Sequence, residues 1–432
     1  MIRNLLTYFM GRSLVFLAPI ILLPVLTHKI SSEDYGVIAL FSSVQQMVYV
    51  FIGMGGAGAV VRAYIDRTDM GFNFNEYLFN AMFINIFLFL LSLAPFFYLY
   101  LTGLIDLPLA VSLILPIIVV ASSLKEYKLK LWNIQGAAKR FVLFESGYVI
   151  LSLVLSIVLV IYIFQDWRSR VYAIIFAEFL FLIFSMLFLF KEDKPVFKFN
   201  KAYCVDVLKF GLPLLPHSFA VGLLFSSDKL LLGALMGLTE VGIFSVAASI
   251  STIMMVLVIA ADQTLQPTLY SFFKNQTQKG KKYYVAGFYM YLALASMSGI
   301  VLYLITPWGI SAFIGPEFEK SAKYVGILIF GQIGYTMYRY VVKAIFFSKK
   351  THLVSIVTLV SALIGAAMQY ILIGYYGILG AAVGTASMFI LSFLLALYFS
   401  NKLYAMPWND SIQIIKDIPG ILYSYIRGTK AQ

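Results

Sequence analysis

Apolar runs of membrane-spanning length recur along the chain, separated by short clusters of charge, glycine, proline and asparagine. A transmembrane helix needs about 20 mostly apolar residues. On that spacing the pattern predicts spans near 8–27, 37–61, 77–101, 107–124, 141–164, 171–190, 208–232, 241–266, 283–306, 322–346, 352–374 and 377–400. Arg3 ahead of the first run resembles a secretory signal, but Arg12, Pro19 and Pro24 interrupt the run and no small-residue cleavage site follows. It reads as a first spanning helix that is retained. After Lys402 the spanning pattern stops: Pro407, Asp410, Lys416 and Asp417 break up a series of isoleucines, as in a helix lying in the membrane interface.

Composition agrees with this pattern. Of the 432 residues 61% are hydrophobic and 12% charged, too little polar surface to solvate a globule in water. The net charge of +12 could point to an anionic partner such as nucleic acid, so its placement decides its meaning. With twelve spans and both termini on one side, 26 of the 32 basic residues fall on that side, and an odd number of spans would scramble the division. Such a bias marks the cytoplasmic side, places both termini there, and requires no nucleic acid. Trp132, Trp167, Trp308 and Trp408 fall at predicted helix ends, where an indole suits the headgroup layer. Cys204, the only cysteine, reads as a free thiol in a loop.

An internal repeat is written into the turns. Ile30-Ser31-Ser32-Glu33-Asp34-Tyr35-Gly36, entering the second span and followed by Ser43-Val44, aligns with Met236-Gly237-Leu238-Thr239-Glu240-Val241-Gly242, entering the eighth and followed by Ser249-Ile250, at an offset of 206 residues. Lys139-Arg140 and Lys349-Lys350 align at an offset of 210. Two six-helix halves of like orientation would produce this, with a substrate site between them. The predicted units are a lobe over 1–200, a lobe over 201–401 and a cytoplasmic amphipathic tail over 402–432.

Catalytic equipment is not legible. Gly53 to Gly58 fits the dinucleotide pattern GxGxxG but lies inside a hydrophobic helix with no preceding strand, where small residues serve close packing or a local break. Gly380 and Gly384 read likewise as packing positions. Histidines 28, 217 and 352 have no second ligand at metal spacing, and no nucleophile elbow or phosphate loop occurs. The chemistry lies in ionisable groups within spans, which are costly in hydrocarbon unless they meet a wet cavity or a partner. Arg12, Arg62, Arg339 and Lys343 are candidate cavity cations; Arg339 and Lys343, four residues apart, share one helix face. A guanidinium fork suits phosphate oxygens. Asp228, Lys229, His217, Glu145, Glu178 and Asp262 are candidates for gating or coupling, with Glu145 and Glu178 expected to neutralise cavity arginines. Pro213 and Pro216 predict a hinge in the seventh span.

Several segments together carry a family resemblance. They are Thr27 to Gly36, Lys209-Phe210-Gly211-Leu212-Pro213-Leu214-Leu215-Pro216, Asp228-Lys229-Leu230-Leu231-Leu232, Gly242 to Ala247, and Tyr376 to Ala382. In this order the chain resembles the Wzx-type polysaccharide flippases, a branch of the superfamily that also holds MATE drug exporters and lipid II flippases. The resemblance implies an all-α, V-shaped, MATE-like transporter. It implies movement of undecaprenyl-pyrophosphate-linked sugar repeat units across the bacterial inner membrane for O-antigen, capsule or exopolysaccharide, with a polymerase and a chain-length regulator as partners. No cofactor is implied, and proton or sodium coupling is left open. The alternatives are a cation-coupled drug exporter, a lipid II flippase, which usually carries two further helices, and a membrane-embedded glycan polymerase.

Overall fold

The structure, a computed structural model, describes residues 18–68, 72–103, 105–255, 258, 262, 269, 272–273 and 277–410. Arg12 and most of the tail, including its expected interfacial helix, lie outside the described residues. Helices occupy all twelve predicted spans: α1 (Ala18–Lys29), α2 (Ser32–Gly53) with its continuation α3 (Gly56–Ile65), α4 (Phe74–Leu101), α5 (Leu109–Ile134), α6 (Ala138–Tyr162), α7 (Arg168–Glu192), α8 (Lys201–Gly211) continued by α9 (Leu215–Leu235), and α10 (Leu238–Ser251). Then come α11 (Gln278–Phe313), α12 (Ala322–Phe347), α13 (Thr351–Tyr376) and α14 (Ile378–Leu403). Among the described residues, nine helical stretches are long and apolar enough to cross a bilayer. Outward-facing side chains such as Leu90, Leu101, Ile183 and Ile371 are exposed, as they are on a surface solvated by hydrocarbon.

Side-chain caps start several helices: Ser31 accepts from the Asp34 amide, Asn73 from the Asn75 and Glu76 amides, Asn200 from the Ala202 amide and Thr277 from the Gly280 amide. Two spans are broken where the sequence says they should be. The second breaks at Met54-Gly55, both at positive φ (27° and 68°), which separates α2 from α3. The seventh breaks at a 3₁₀ turn over Leu212–Leu214, where Pro213 and Pro216 each remove a backbone donor.

Helix α2 joins the two halves of the chain. It packs on α4 and α5 of the first half and on α9 and α10 of the second, while α13 lies against α9 and α14, and α14 against α12. Small residues permit the closest approaches. Gly380 lies against the Leu372 carbonyl and Gly384 against Gln369, so the expected packing role holds for both.

Three expectations change. The fourth span does not end near residue 124: α5 runs on to Ile134, so Lys125, Lys128 and Lys130 are helical and only a short turn precedes α6. Cys204 is not in a loop but on α8, buried, with its thiol donating to Asn80 Oδ1 at 3.2 Å. Trp132 is not at a headgroup surface. It is 2% exposed, packed edge-on against Phe144 and Phe188, and it donates to Glu192.

Candidate functional site

The loops and helix ends richest in lysine and arginine define a basic face, and the α1–α2 turn lies at the opposite face. Within the helices, charged groups form separate clusters rather than one continuous lining.

The first cluster stands near the basic-face end of α12. Arg339 and Lys343 lie on one face, as their spacing requires, and both meet Asp262. Arg339 Nη2 donates to Oδ2 at 2.9 Å and Lys343 Nζ donates to Oδ1. Tyr291 of α11 donates to the same carboxylate at 3.3 Å. The Lys343 ammonium also stands 5.6 Å from the Tyr340 ring and 6.0 Å from the Tyr291 ring. The Lys343 and Asp262 side chains are 8% and 12% exposed, so water screens their attraction little, whereas Arg339 keeps 32% of its side chain open. Arg339 Nε finds no acceptor among the described residues. Two cations share one carboxylate here, which leaves a positive charge that a negative group can take up.

The second cluster ties α5, α6 and α7. Lys125 Nζ lies 2.7 Å from the Glu178 carboxylate and 3.8 Å from the centre of the Tyr148 ring. A turn further along, Lys128, fully buried, bonds Glu192 at 2.8 Å and also Asp193, while Arg140 reaches Glu192 at 2.9 Å. Glu178 therefore does not neutralise an arginine as expected; its partner is Lys125. That pairing follows from the extension of α5, which carries lysines into the bundle where a loop would have left them in water. Glu145 lies within electrostatic reach of the same lysine.

The remaining candidates take up separate positions. Arg62 on α3 bonds Asp206 on α8, Tyr77 donates to Asp206 at 2.8 Å, and Phe210 lies 5.0 Å beneath the guanidinium. Asp228 and Lys229 pair at 3.0 Å. A buried chain of hydrogen bonds, Ser227 to Gln369 (2.6 Å), Gln369 to Thr385 (2.9 Å) and Thr385 to Asp228 (3.2 Å), ties that pair into the packing of α9, α13 and α14. His217 lies 3.0 Å from Thr358 Oγ1.

The halves of the chain meet at the opposite face, and at the basic face α8 packs back on α3 and α4. At the opposite face Gly36 lies against the Leu238 backbone carbonyl, and Gly242 lies against the Ser32 carbonyl. Each glycine of the repeat thus packs on the residue that aligns with its own partner's contact, since Ser32 and Leu238 are also 206 apart. A turn after α11 secures this contact: Glu317 accepts from the Ser32 amide at 2.8 Å, the Gly315 amide donates to Thr27 Oγ1 at 3.2 Å, and Phe318 meets Tyr35 edge-on. At the basic face Gly211 lies against the Met54 carbonyl, Phe210 packs on Gly58, and the Arg62–Asp206 pair bridges α3 and α8. Beside α2, between α4 and α9, is a cavity of about 550 Å³ lined by Met47, Phe51, Leu91, Pro95, Phe219 and Leu230 among other apolar groups.

Sequence reasoning missed Lys125, Lys128, Asp206, Tyr291 and Arg170. A helical signal for some of these was present: Lys128 and Trp132 are four apart, and Arg170, Glu178 and Ser185 recur at intervals that keep them on one face of α7.

Comparison with known proteins follows this geometry. A family model described as polysaccharide biosynthesis protein matches residues 1–273. A Haemophilus influenzae protein of the Lsg locus is 20% identical over 392 residues, covering 87% of this chain and 93% of that protein. Among solved structures, the chain is similar to an inward-facing multidrug resistance MATE family transporter of the MOP superfamily, with a TM-score of 0.68 and 14% identity over 91% of this chain and 95% of the other. It is equally similar, at a TM-score of 0.68 and 17% identity, to the lipid II flippase MurJ in an inward closed conformation, over 99% and 93% of the two chains. At these identities the likeness establishes a shared fold, all-helical, multi-pass and MATE-like.

Proposed function

Because this chain belongs to the polysaccharide biosynthesis protein family, we propose that it is a flippase for lipid-linked oligosaccharides, moving undecaprenyl-pyrophosphate-linked repeat units across the bacterial inner membrane for a surface polysaccharide. The basic face is then cytoplasmic, with both termini on that side. The first six and last six spans act as two bodies, over 1–200 and 201–401, that rock about the seam along α2. The observation that carries this reading is the Asp262–Arg339–Lys343 cluster, in which two cations are held by a single carboxylate among apolar helices.

Physically, a pyrophosphate-bearing headgroup gains most where positive charge is poorly compensated and poorly hydrated. Arg339 presents a planar donor fork, one of whose donors has no acceptor among the described residues, and Lys343 supplies a point charge beside it. Asp262 keeps the two cations affordable when no substrate is bound, and the headgroup replaces part of that pairing. Entry from the basic face requires Arg62 to leave Asp206, and an anionic group is a competitor for that guanidinium. Rocking then opens the opposite face as the Gly36 and Gly242 contacts part. Helices α8 and α9 can bend at Pro213 and Pro216, which leaves their ends free to follow different bodies.

Drug export, the alternative that shares this fold, calls for carboxylates that attract cationic compounds. Here the excess at the cluster is cationic. The test is reconstitution of the purified chain into proteoliposomes with defined undecaprenyl-pyrophosphate-linked oligosaccharides, scoring delivery to the far leaflet. Translocation that depends on Arg339 supports the reading; export of cationic dyes without movement of the lipid-linked sugar overturns it.

A further inference from the structure

Arg170 is an arginine that turns the wrong way. It lies in the first turn of α7, close to the opposite face, where a long basic side chain ordinarily reaches out to headgroups and water. Arg168, two residues earlier on the same turn, does so: its Nε donates to Asp166 at 2.8 and 3.0 Å and its Nη2 at 2.5 Å, and this guanidinium holds the Asp166 carboxyl below the usual carboxylate range. Arg170 instead reaches into the bundle. Its Nη1 donates to Ser152 Oγ at 2.8 Å, to Ser156 Oγ at 3.0 Å and to the Ser152 carbonyl at 3.3 Å. These serines precede the end of α6 at Tyr162 by six and ten residues, roughly 9 and 15 Å along the helix.

Every hydrogen-bond partner of this cation among the described residues is neutral. The carboxylates that could have served it are engaged elsewhere: Asp166 by Arg168, Asp34 by Ser31 and the Trp167 amide, Glu178 by Lys125. A guanidinium carries five N–H donors, and the three bonds formed all leave from Nη1, so Nε and Nη2 have no acceptor among the described residues. Tyr148 and Tyr35 are its other polar neighbours, and Tyr35 also adjoins Ser249 of α10. The guanidinium thus lies within electrostatic reach of Tyr35, the residue that precedes Gly36 of the Gly36–Gly242 contact. A half-buried cation with neutral partners and spare donors, set among apolar helices, is costly to keep unless an anion visits it.

We propose that Arg170, held by Ser152 and Ser156, is a second anion-binding position, one that takes a phosphate of the lipid-linked headgroup in the half of the membrane nearer the opposite face, after it leaves Arg339 and Lys343. This rests on the flippase reading for the identity of the ligand, though the anion site itself does not. Two positions at different depths would divide the passage of a charged headgroup through hydrocarbon into two shorter steps.

The test uses the full chain, purified and reconstituted in nanodiscs, with farnesyl diphosphate as lipid-borne probe, inorganic diphosphate as free anion and farnesol as uncharged control. Arg170→Gln is expected to weaken farnesyl diphosphate binding about tenfold or more, Arg170→Lys to weaken it less, and farnesol binding to stay unchanged in both. A loss for both diphosphates identifies a general phosphate site; a loss for the farnesyl compound alone identifies one that needs the lipid tail. Unchanged diphosphate affinity in Arg170→Gln, with loss confined to Arg339→Gln, overturns the proposal and makes Arg170 a packing residue. Should Arg170→Gln not fold, the Ser152→Ala/Ser156→Ala variant keeps the cation but frees it from its tether; reduced affinity supports the site and unaltered affinity overturns it. Failure of the wild-type chain to move lipid-linked oligosaccharide, with the Arg170 effect intact, removes the flippase reading and leaves the anion site standing.

Discussion

Replacing Gly36 by alanine places a methyl group on the backbone carbonyl of Leu238, and replacing Gly242 does the same at Ser32. Neither obstacle is a flexible side chain that could swing aside; both are carbonyls fixed near the starts of helices, so relief requires α2 and α10 to part. Overpacking of this kind costs about 1–3 kcal/mol. The penalty falls only on the state in which the two helices touch, so it shifts the balance between closed and open at the opposite face by roughly 5- to 150-fold. In a Cys204→Ser background a single cysteine at Ser249, which lies beside Tyr35 below the contact, is expected to react faster with a membrane-impermeant maleimide applied from that side. The double alanine variant should gain less than the sum of the two, because one separation relieves both overlaps. A folded Gly36→Ala protein with unchanged or slower labelling refutes the argument that this contact closes the path. A fall in thermal stability with no change in labelling reduces it to ordinary packing.

Other expectations concern the charged clusters. Arg339→Ala or Arg12→Ala is expected to abolish surface polysaccharide at unchanged protein level, measured by gel staining of the polysaccharide beside an immunoblot; normal polysaccharide in both would remove the cavity-cation assignment. Asp262→Asn strands Lys343 and Arg339 together and should cost about 3–5 kcal/mol, read as a large drop in the unfolding temperature of the detergent-solubilised protein. Glu178→Leu should be similarly damaging, whereas Lys125→Met with Glu178→Leu should recover most of the loss, because a well-packed apolar pair replaces a buried ionic one; equal damage in single and double variants would contradict this.

How far the sequence could be read depended on whether a feature was local. The positions of all twelve helices follow from runs of apolar residues, and the break at Met54-Gly55 and the bend at Pro213 and Pro216 follow from backbone limits of the residues themselves. The Gly36 and Gly242 repeat was visible because the constraint at each site is severe enough to demand glycine twice. Lys125 and Lys128 misled because three lysines in six residues read as a loop by composition. What keeps them helical is a set of carboxylates, Glu178, Glu192 and Asp193, more than fifty residues away in the chain. Arg170 misled for the same reason in reverse: its position near a helix end suggests water, and only the serines of the neighbouring helix turn it inward. Likewise Asp262 was visible as an intramembrane acid, but its joint hold on Arg339 and Lys343 depends on how three helices meet.

The joint at Met54-Gly55 gives the second span an unusual freedom. A straight rod held against α10 at one extremity and against α8 at the other would act as a lever, so that movement at one end would be forced upon the other. An articulated rod can stay latched at one extremity while the other lets go. The two extremities can therefore let go at different moments, so that a membrane-embedded chain of this fold need not open a continuous leak when one of them parts.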